Sequence, residues 1–269
     1  MTTFPERIGR FLLTAVVWAG FVFLTLPLII IVAVSFTETE YLSFPPVGFT
    51  LRWYEQFLAD TSYLESIGLS ASIAVASTAI ATLIGVPTAL VIARSTLPGR
   101  KLVSTIFLSP LILPTIVVGA ALLQYASALG FARSYLALLA GHVVIIVPYI
   151  LRTVLASLER FDQSLEEAGQ DLGANGVTTF FLVTLPIIKP GIVAGALFAL
   201  IISWINVELS IFNSTASLMP LPVKLFNYVQ YAVDPMMAAI SAATIYVAIV
   251  AVVVLDIFVG IDRVAATQK

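Results

Sequence analysis

Six long segments of the sequence carry no acidic or basic side chain, and this constrains the fold more than any other feature. Each segment approaches or exceeds the roughly 18 apolar residues that a membrane-spanning helix needs. Only 10% of all residues are charged, whereas soluble domains average about 25%. The sequence therefore predicts an all-α membrane protein with six spans, approximately at residues 11–36, 66–93, 102–127, 135–156, 188–212 and 236–260.

The composition excludes several other classes of protein. The sequence has no cysteine, which rules out both a disulfide framework and a cysteine-ligated metal site. The net charge is −2 and no basic run occurs, so a nucleic-acid partner is not expected. The first apolar segment exceeds the roughly 7–15 residues of a signal-peptide core, so we interpret it as an uncleaved helix. A single transmembrane domain over residues 1–269 is expected.

The positions of lysine and arginine predict the orientation in the membrane. With six spans, both termini share one side with the even-numbered loops. That side and its helix ends hold 10 of the 13 basic residues, and the opposite side holds Arg52, Arg133 and Lys224. Because basic residues concentrate in cytoplasmic segments, we expect both termini to be cytoplasmic and the protein to lie in a bacterial inner membrane.

Proline and glycine pairs mark two special places within the spans. Pro110 and Pro114 fall one helical turn apart in the third span, which favours a break or hinge there. Gly191 and Gly195 would let a second helix approach closely. That contact could lie within the chain or, on weaker grounds, between subunits.

The loop at residues 157–186, between the fourth and fifth spans, is too long for a simple hairpin, which needs about two to eight residues. It contains five carboxylates. Ser164 and Glu167 have the spacing of a capping box, and Gly173 suits the left-handed position that ends a helix. A second short helix is expected over residues 175–186, ending at the proline. The pattern predicts a helix-turn-helix at the cytoplasmic face.

The loop resembles a known signature. Glu167-Ala168-Gly169, then Gly173, then Val183-Thr184-Leu185-Pro186 is similar to the E-A-A-x3-G-x9-I-x-L-P signature of membrane subunits of binding-protein-dependent ABC importers. Gly169 replaces the second alanine and Val183 the isoleucine. Residues 49–54 and 221–226 resemble the spermidine/putrescine branch of these permeases.

The resemblance implies a division of labour between subunits. The short helix would be a coupling helix that docks into a cytoplasmic ATPase, through Glu167, Ala168, Gly169, Asp171, Gly173, Leu185 and Pro186. The implied partners are a second permease subunit, homologous but not identical, two ATPase subunits, a periplasmic solute-binding protein and the lipid bilayer. Since the chain has no phosphate-binding loop, ATP and magnesium would be bound by the ATPases. We therefore expect no cofactor and no enzymatic activity in this chain.

Two roles of Glu167 remain open: contact with a basic group on the ATPase, or capping of its own helix. The implied solute is small, such as a polyamine, opine or phosphonate.

A carboxylate within a predicted span is a candidate functional group. Glu208, with Trp204 and Asn206, is predicted to line the substrate pathway in the fifth span, the alternative being that Glu208 reaches water at the membrane surface. His142 is expected to pack or to bond between helices. The competing functions are a secondary transporter, for which we find no internal repeat, an intramembrane serine protease, and a channel or scaffold.

Overall fold

A computed structural model describes residues 4–95 and 98–259, and helices make up the fold of these residues. Their bounds are α1 Phe4–Val34, α2 Arg52–Ala59, α3 Thr61–Arg94, α4 Arg100–Leu108, α5 Thr115–Ala128, α6 Tyr135–Glu159, α7 Ser164–Asp171, α8 Gly176–Thr179, α9 Leu185–Ile205, α10 Ser210–Asn213, α11 Leu221–Val229 and α12 Pro235–Val259. A 3-10 turn, Ser109–Leu111, follows α4, and a π-helical turn, Phe180–Thr184, joins α8 to α9.

Four helical stretches among the described residues are long and apolar enough to cross a membrane: Gly9–Val34, Thr61–Arg94, Tyr135–Glu159 and Gly176–Ile205. The bent pair formed by α4 and α5 would make a fifth. The apolar part of α12, Pro235–Val250, is shorter, and residue 260 of the predicted last span lies outside the described residues. The all-α membrane fold is confirmed, while the number of six spans stays a prediction.

The third span is not the single helix predicted for residues 102–127. Arg100–Leu111 and Thr115–Ala128 meet at an angle of 106°. Pro110 lies in the 3-10 turn and Pro114 precedes α5 with extended backbone. Each proline lacks a backbone donor and disfavours helix in the residue before it. The predicted break at this pair is thus confirmed.

The fifth span differs from the predicted 188–212 at both ends. It begins earlier, because α8 continues through the π-helical turn into α9, and Pro186 does not end the helix. Pro186 follows directly after the π-helical turn Phe180–Thr184 inside this continuous helix. Its fixed φ fits a helix, and the wider turn lies where its missing N–H group leaves a backbone bond unmade. At the other end, α9 ends at Ile205 because Asn206 is extended, with φ −76° and ψ 109°.

The chain divides into two compact units, one holding Leu64–Phe226 and the other the residues up to Tyr63 with Asn227–Leu255. In the first unit, α6 packs along α9. A Cβ atom at Gly191 would lie 2.1 Å from Ser157 Oγ, and one at Gly195 would lie 2.9 Å from the Cα atom of Ile150. The two glycines therefore serve a helix contact inside this chain. That the whole chain is one domain stays a prediction.

The second unit contains α2, which lies outside the apolar stretches. The Trp53 Nε1–H group donates to the carbonyl of Thr37 at 2.8 Å, and the Tyr54 and Ser35 hydroxyls are 2.6 Å apart. Burial is the main cause that raises the pKa of Tyr54 to about 12. These bonds tie the amphipathic helix α2 to the chain that follows α1.

Candidate functional site

Helix α7 begins differently from the predicted capping box. Ser164 is its first helical residue, not its N-cap, and the Asp162 carboxylate accepts a hydrogen bond from the Ser164 N–H group at 3.0 Å. This bond lowers the pKa of Asp162 below its usual value. The box is not formed because an aspartate two residues upstream already supplies the acceptor. The Glu167 carboxylate is exposed and has no hydrogen bond to the described residues, so self-capping is not observed.

The end of α7 matches the prediction. Gly173 has a φ of 92°, its N–H group donates to the carbonyl of Gln170 at 2.8 Å, and the N–H group of Ala174 donates to that of Gly169 at 3.1 Å. This pair of bonds defines a Schellman motif, whose left-handed residue favours glycine. Asn175 then caps α8 by accepting from the Thr178 N–H group at 2.9 Å. The tight helix-turn-helix is confirmed.

One face of this helix-turn-helix is exposed in the part of the chain that the structure describes. Ala168 and Asp171 are exposed beside Glu167. At the turn, Leu172 is 91% exposed and Val177 is 68% exposed. Apolar side chains flanked by carboxylates form a surface suited to a protein partner.

The opposite face of α7 turns towards the membrane helices through Glu166 and Gly169, which are both half-buried. A Cβ atom at Gly169 would lie 3.6 Å from Val183 Cγ2 in the π-helical turn. That turn leads directly to Leu185 and Pro186 at the start of α9. The signature residues on the two sides of the loop thus meet through Gly169 and Val183.

Glu166 makes two polar contacts that sequence analysis missed. One carboxylate oxygen, Oε2, lies 3.4 Å from Arg94 Nε at the end of α3. The other, Oε1, accepts a hydrogen bond from the Thr184 hydroxyl at 2.6 Å. The Arg94 guanidinium also lies 4.7 Å from the ring centroid of Phe161. In the sequence, Arg94 is one of the basic residues that predict the orientation in the membrane, and no local pattern indicates its pairing with Glu166.

The predicted pathway residues lie in three different settings. Trp204 is half-buried in the last turn of α9 and Glu208 is exposed in the turn before α10, outside any helix. The Asn206 side chain accepts from the Leu209 N–H group at 2.9 Å, and its carbonyl accepts from the Ser210 hydroxyl at 2.8 Å. Asn206 therefore holds the turn closed. The expectation that Glu208 lies within a continuous fifth span is wrong, and its contact with solute stays a prediction.

His142 is buried behind this turn, as predicted for an interhelical bonding residue. Its Nδ1 lies 2.7 Å from the Ser203 hydroxyl and its Nε2 lies 3.0 Å from the Ser210 hydroxyl. Ser203 is also 3.2 Å from the Ser77 hydroxyl of α3. All four side chains are buried. The network joins α3, α6, α9 and α10.

Residues 81–261 match the family described as "Binding-protein-dependent transport system inner membrane component". The chain belongs to this family. It is 32% identical to the spermidine/putrescine permease PotC of Haemophilus influenzae, over 90% of this chain and 94% of that protein. It is 31% identical to the putrescine permease PotI of Escherichia coli K12, over 82% of this chain and 81% of that protein.

Solved structures of ABC transporters share the fold of this family member. A chain of a bacterial transporter that imports alginate superposes with a TM-score of 0.77 at 18% identity, covering 96% of this chain and 99% of that one. An amino acid ABC transporter with histidines gives a TM-score of 0.56 over 78% of this chain and 98% of that one. The predicted family and its multi-pass membrane fold are confirmed.

Proposed function

We propose that this chain is one permease subunit of an ATP-driven importer for a polyamine, a small solute with several ammonium groups. It pairs with a second, homologous but non-identical permease subunit. Two cytoplasmic ATPase subunits bind the ATP and magnesium, and a periplasmic protein delivers the solute. In this arrangement the chain binds no cofactor and catalyses no reaction. The names of the relatives described above support the solute class.

The observation that carries the proposal is the helix-turn-helix with one exposed face. Helix α7 presents Glu167 and Asp171 outward, and the apolar tip at Leu172 is almost fully exposed. An ATPase cleft with basic and apolar groups would cover this face. The distribution of lysine and arginine supports placing the loop and both termini in the cytoplasm.

The local geometry suits a mechanical joint. Gly173 fixes the angle between α7 and α8, and α8 continues into α9 without an interruption. Movement of the loop by the ATPase would therefore displace the span that begins at Leu185 and Pro186. ATP binding and hydrolysis would in this way exchange access between the two sides of the membrane.

A cationic solute requires carboxylates along its route. Glu208 is the candidate, because it is exposed in the turn that follows α9. Trp204 would add an aromatic face for an ammonium group. Asn206 shapes the turn and would act by positioning Glu208.

The decisive experiment is purification of the tagged chain with its co-expressed ATPase in mild detergent. We expect a stoichiometric ATPase in the complex, and we expect Glu167→Lys to lose it while the chain still folds. Glu159→Lys is the matched control, because Glu159 is an exposed carboxylate at the end of α6. A chain that purifies alone and takes up solute without ATP would instead support a secondary transporter.

The solute is tested with radiolabelled putrescine in proteoliposomes containing the complete complex. We expect ATP-dependent uptake that Glu208→Gln reduces, while Glu55→Gln, at an exposed carboxylate of α2, leaves it unchanged. Equal uptake in both variants would contradict the role of Glu208. Absence of putrescine uptake by an assembled, ATP-hydrolysing complex would contradict the solute class alone.

A further inference from the structure

We propose that Glu166 is the positioning residue that fixes the coupling helix to two membrane helices of its own chain at once. The contacts involved, which we call the Glu166 junction, comprise Glu166, Arg94, Thr184 and Phe161. This inference rests on the proposed function for its role in transport. Its structural part, the attachment of α7 to α3, can be tested without any partner.

The geometry gives the two oxygens of one carboxylate different partners. Oε2 faces Arg94 Nε at 3.4 Å, and Arg94 lies in the last turn of α3. Oε1 accepts from Thr184 at 2.6 Å, and Thr184 immediately precedes α9. A single side chain on α7 therefore bridges the ends of two helices that lie far apart in the sequence.

The surroundings make this bridge stronger than an ion pair on an open surface. Arg94 and Glu166 are each only 20% exposed, and exposed pairs contribute about 0–1 kcal/mol. Thr184 and Phe161 are buried. Among the described residues, Nε and Nη2 of Arg94 are buried without a hydrogen-bond partner. Glu166 is thus the carboxylate that offsets this guanidinium charge, and neutralising Glu166 leaves the charge uncompensated.

The junction provides a second path for movement. Displacement of α7 reaches α9 through the loop backbone, because α8 and α9 are continuous. It reaches α3 by a different route, through the ion pair with Arg94. Without the junction, α9 would still follow the loop but α3 would not, and ATP hydrolysis would drive less transport.

The test begins with the permease alone. The sequence has no cysteine, so Val91→Cys on α3 and Gln170→Cys on α7, both exposed, accept a pair of spin labels. We expect a narrow distance distribution that widens in Glu166→Gln and in Arg94→Gln. Arg100→Gln and Glu159→Gln, which remove nearby charges outside the junction, should leave it narrow. An unchanged distribution in the two junction variants would overturn the proposal, whatever the fate of the proposed function.

The second step uses the assembled importer in proteoliposomes, with radiolabelled putrescine as the probe. We expect Glu166→Gln and Arg94→Gln to lower the putrescine transported per ATP hydrolysed by about two- to thirtyfold. The double variant Arg94→Glu/Glu166→Arg should recover part of this ratio. A merely structural role would lower the yield of the complex at a constant ratio, and that result would contradict the inference. Failure of the ATPase to assemble with the unmodified chain would contradict the proposed function and leave the distance result standing.

Discussion

The two ends of helix α9 are built in opposite ways. At the loop end, the helix continues backwards through a π-helical turn into α8, across Pro186. At the Asn206 end, the helix stops although no proline or glycine is present, and the chain turns sharply into α10. The π-helical turn carries the helix past Pro186, whereas an asparagine that bonds its own following backbone can end a helix. The local bonding of the backbone, more than residue type, decides the outcome.

The polar contacts at the two ends also differ. The loop end carries a charged junction around Glu166, half-buried at the edge of the structure. The Asn206 end carries a fully buried network of neutral hydroxyls around His142. The junction attaches the loop end to a single helix, α7, and can be displaced together with it. The His142 network holds the other end to α3, α6 and α10 at once, through buried polar groups that are costly to separate. We therefore infer that the Asn206 end is the fixed end of α9 and that the loop end is the one that moves.

The close contact between α9 and α6, which lies between the two ends of α9, gives the largest expected effect. In Gly195→Leu, the side chain would meet Thr153 Oγ1 and the backbone of Ile150, because a Cβ atom there already lies 2.3 Å and 2.9 Å from them. We expect the free energy of unfolding to fall by about 3 kcal/mol, since α9 must move away from α6. Unfolding by dodecyl sulfate in mixed micelles measures the change.

The control is Gly68→Leu, because a Cβ atom at Gly68 on α3 meets nothing within 4 Å. If both leucine variants unfold at the same detergent fraction as the original chain, the close contact of α6 with α9 is contradicted, and with it the comparison of the two ends.

The second prediction concerns the fixed end. His142→Ala would leave the Ser203 and Ser210 hydroxyls without their imidazole partner in a buried site. We expect a loss of about 2 kcal/mol, from unpaired hydroxyls and the cavity. His142→Gln, which can still donate and accept, should lose clearly less. Equal losses for the two variants in the same unfolding assay would show that His142 stabilises the fold by filling space and not through its hydrogen bonds.

Much of this structure follows from local sequence. Charge-free stretches predict the apolar helices, the proline pair predicts the break at which two helices meet at 106°, and Gly173 and Asn175 predict the turn between α7 and α8. These features depend on residues close together in the chain, where propensity and periodicity act.

The missed features depend on residues far apart or on competing caps. Arg94 and Glu166 are far apart in the sequence, and the charge pattern alone does not indicate which carboxylate Arg94 meets. Ser164 is not the N-cap, because α7 begins one residue earlier than the capping-box spacing predicts, after Gln163, and Asp162 accepts the Ser164 N–H group. Asn206 ends α9 through bonds that reach three and four residues ahead, within a stretch whose hydrophobicity predicts a continuing helix. Hydrophobicity predicts the wrong helix end where a single polar side chain bonds to the backbone that follows it.

The third prediction tests the moving end. Gly173→Val forces a β-branched residue to a φ of 92°, which costs about 1–2 kcal/mol. The strain should open the turn between α7 and α8 locally. The backbone amides of residues 173 and 174 should therefore exchange hydrogen about five- to thirtyfold faster than in the original chain. Gly176→Val is the control, since a Cβ atom there meets nothing within 4 Å. Faster exchange spread equally over α6 and α9 would contradict an independently moving loop.

The smallest expected effect comes from comparing one glycine-to-alanine substitution near each end of α9. Gly169→Ala on α7 places a Cβ atom 3.6 Å from Val183 Cγ2, an ordinary contact, whereas Gly119→Ala on α5 places one 3.0 Å from the Cα atom of Leu209 beside the Asn206 turn. Alanine favours a helix over glycine by about 0.5–1 kcal/mol. Gly169→Ala should therefore slow exchange in α7 slightly, and Gly119→Ala should lower the unfolding free energy despite the same propensity gain. If Gly119→Ala instead raises the unfolding free energy, the packing at the Asn206 end is looser than the structure has it, and the assignment of that end as the fixed one is contradicted.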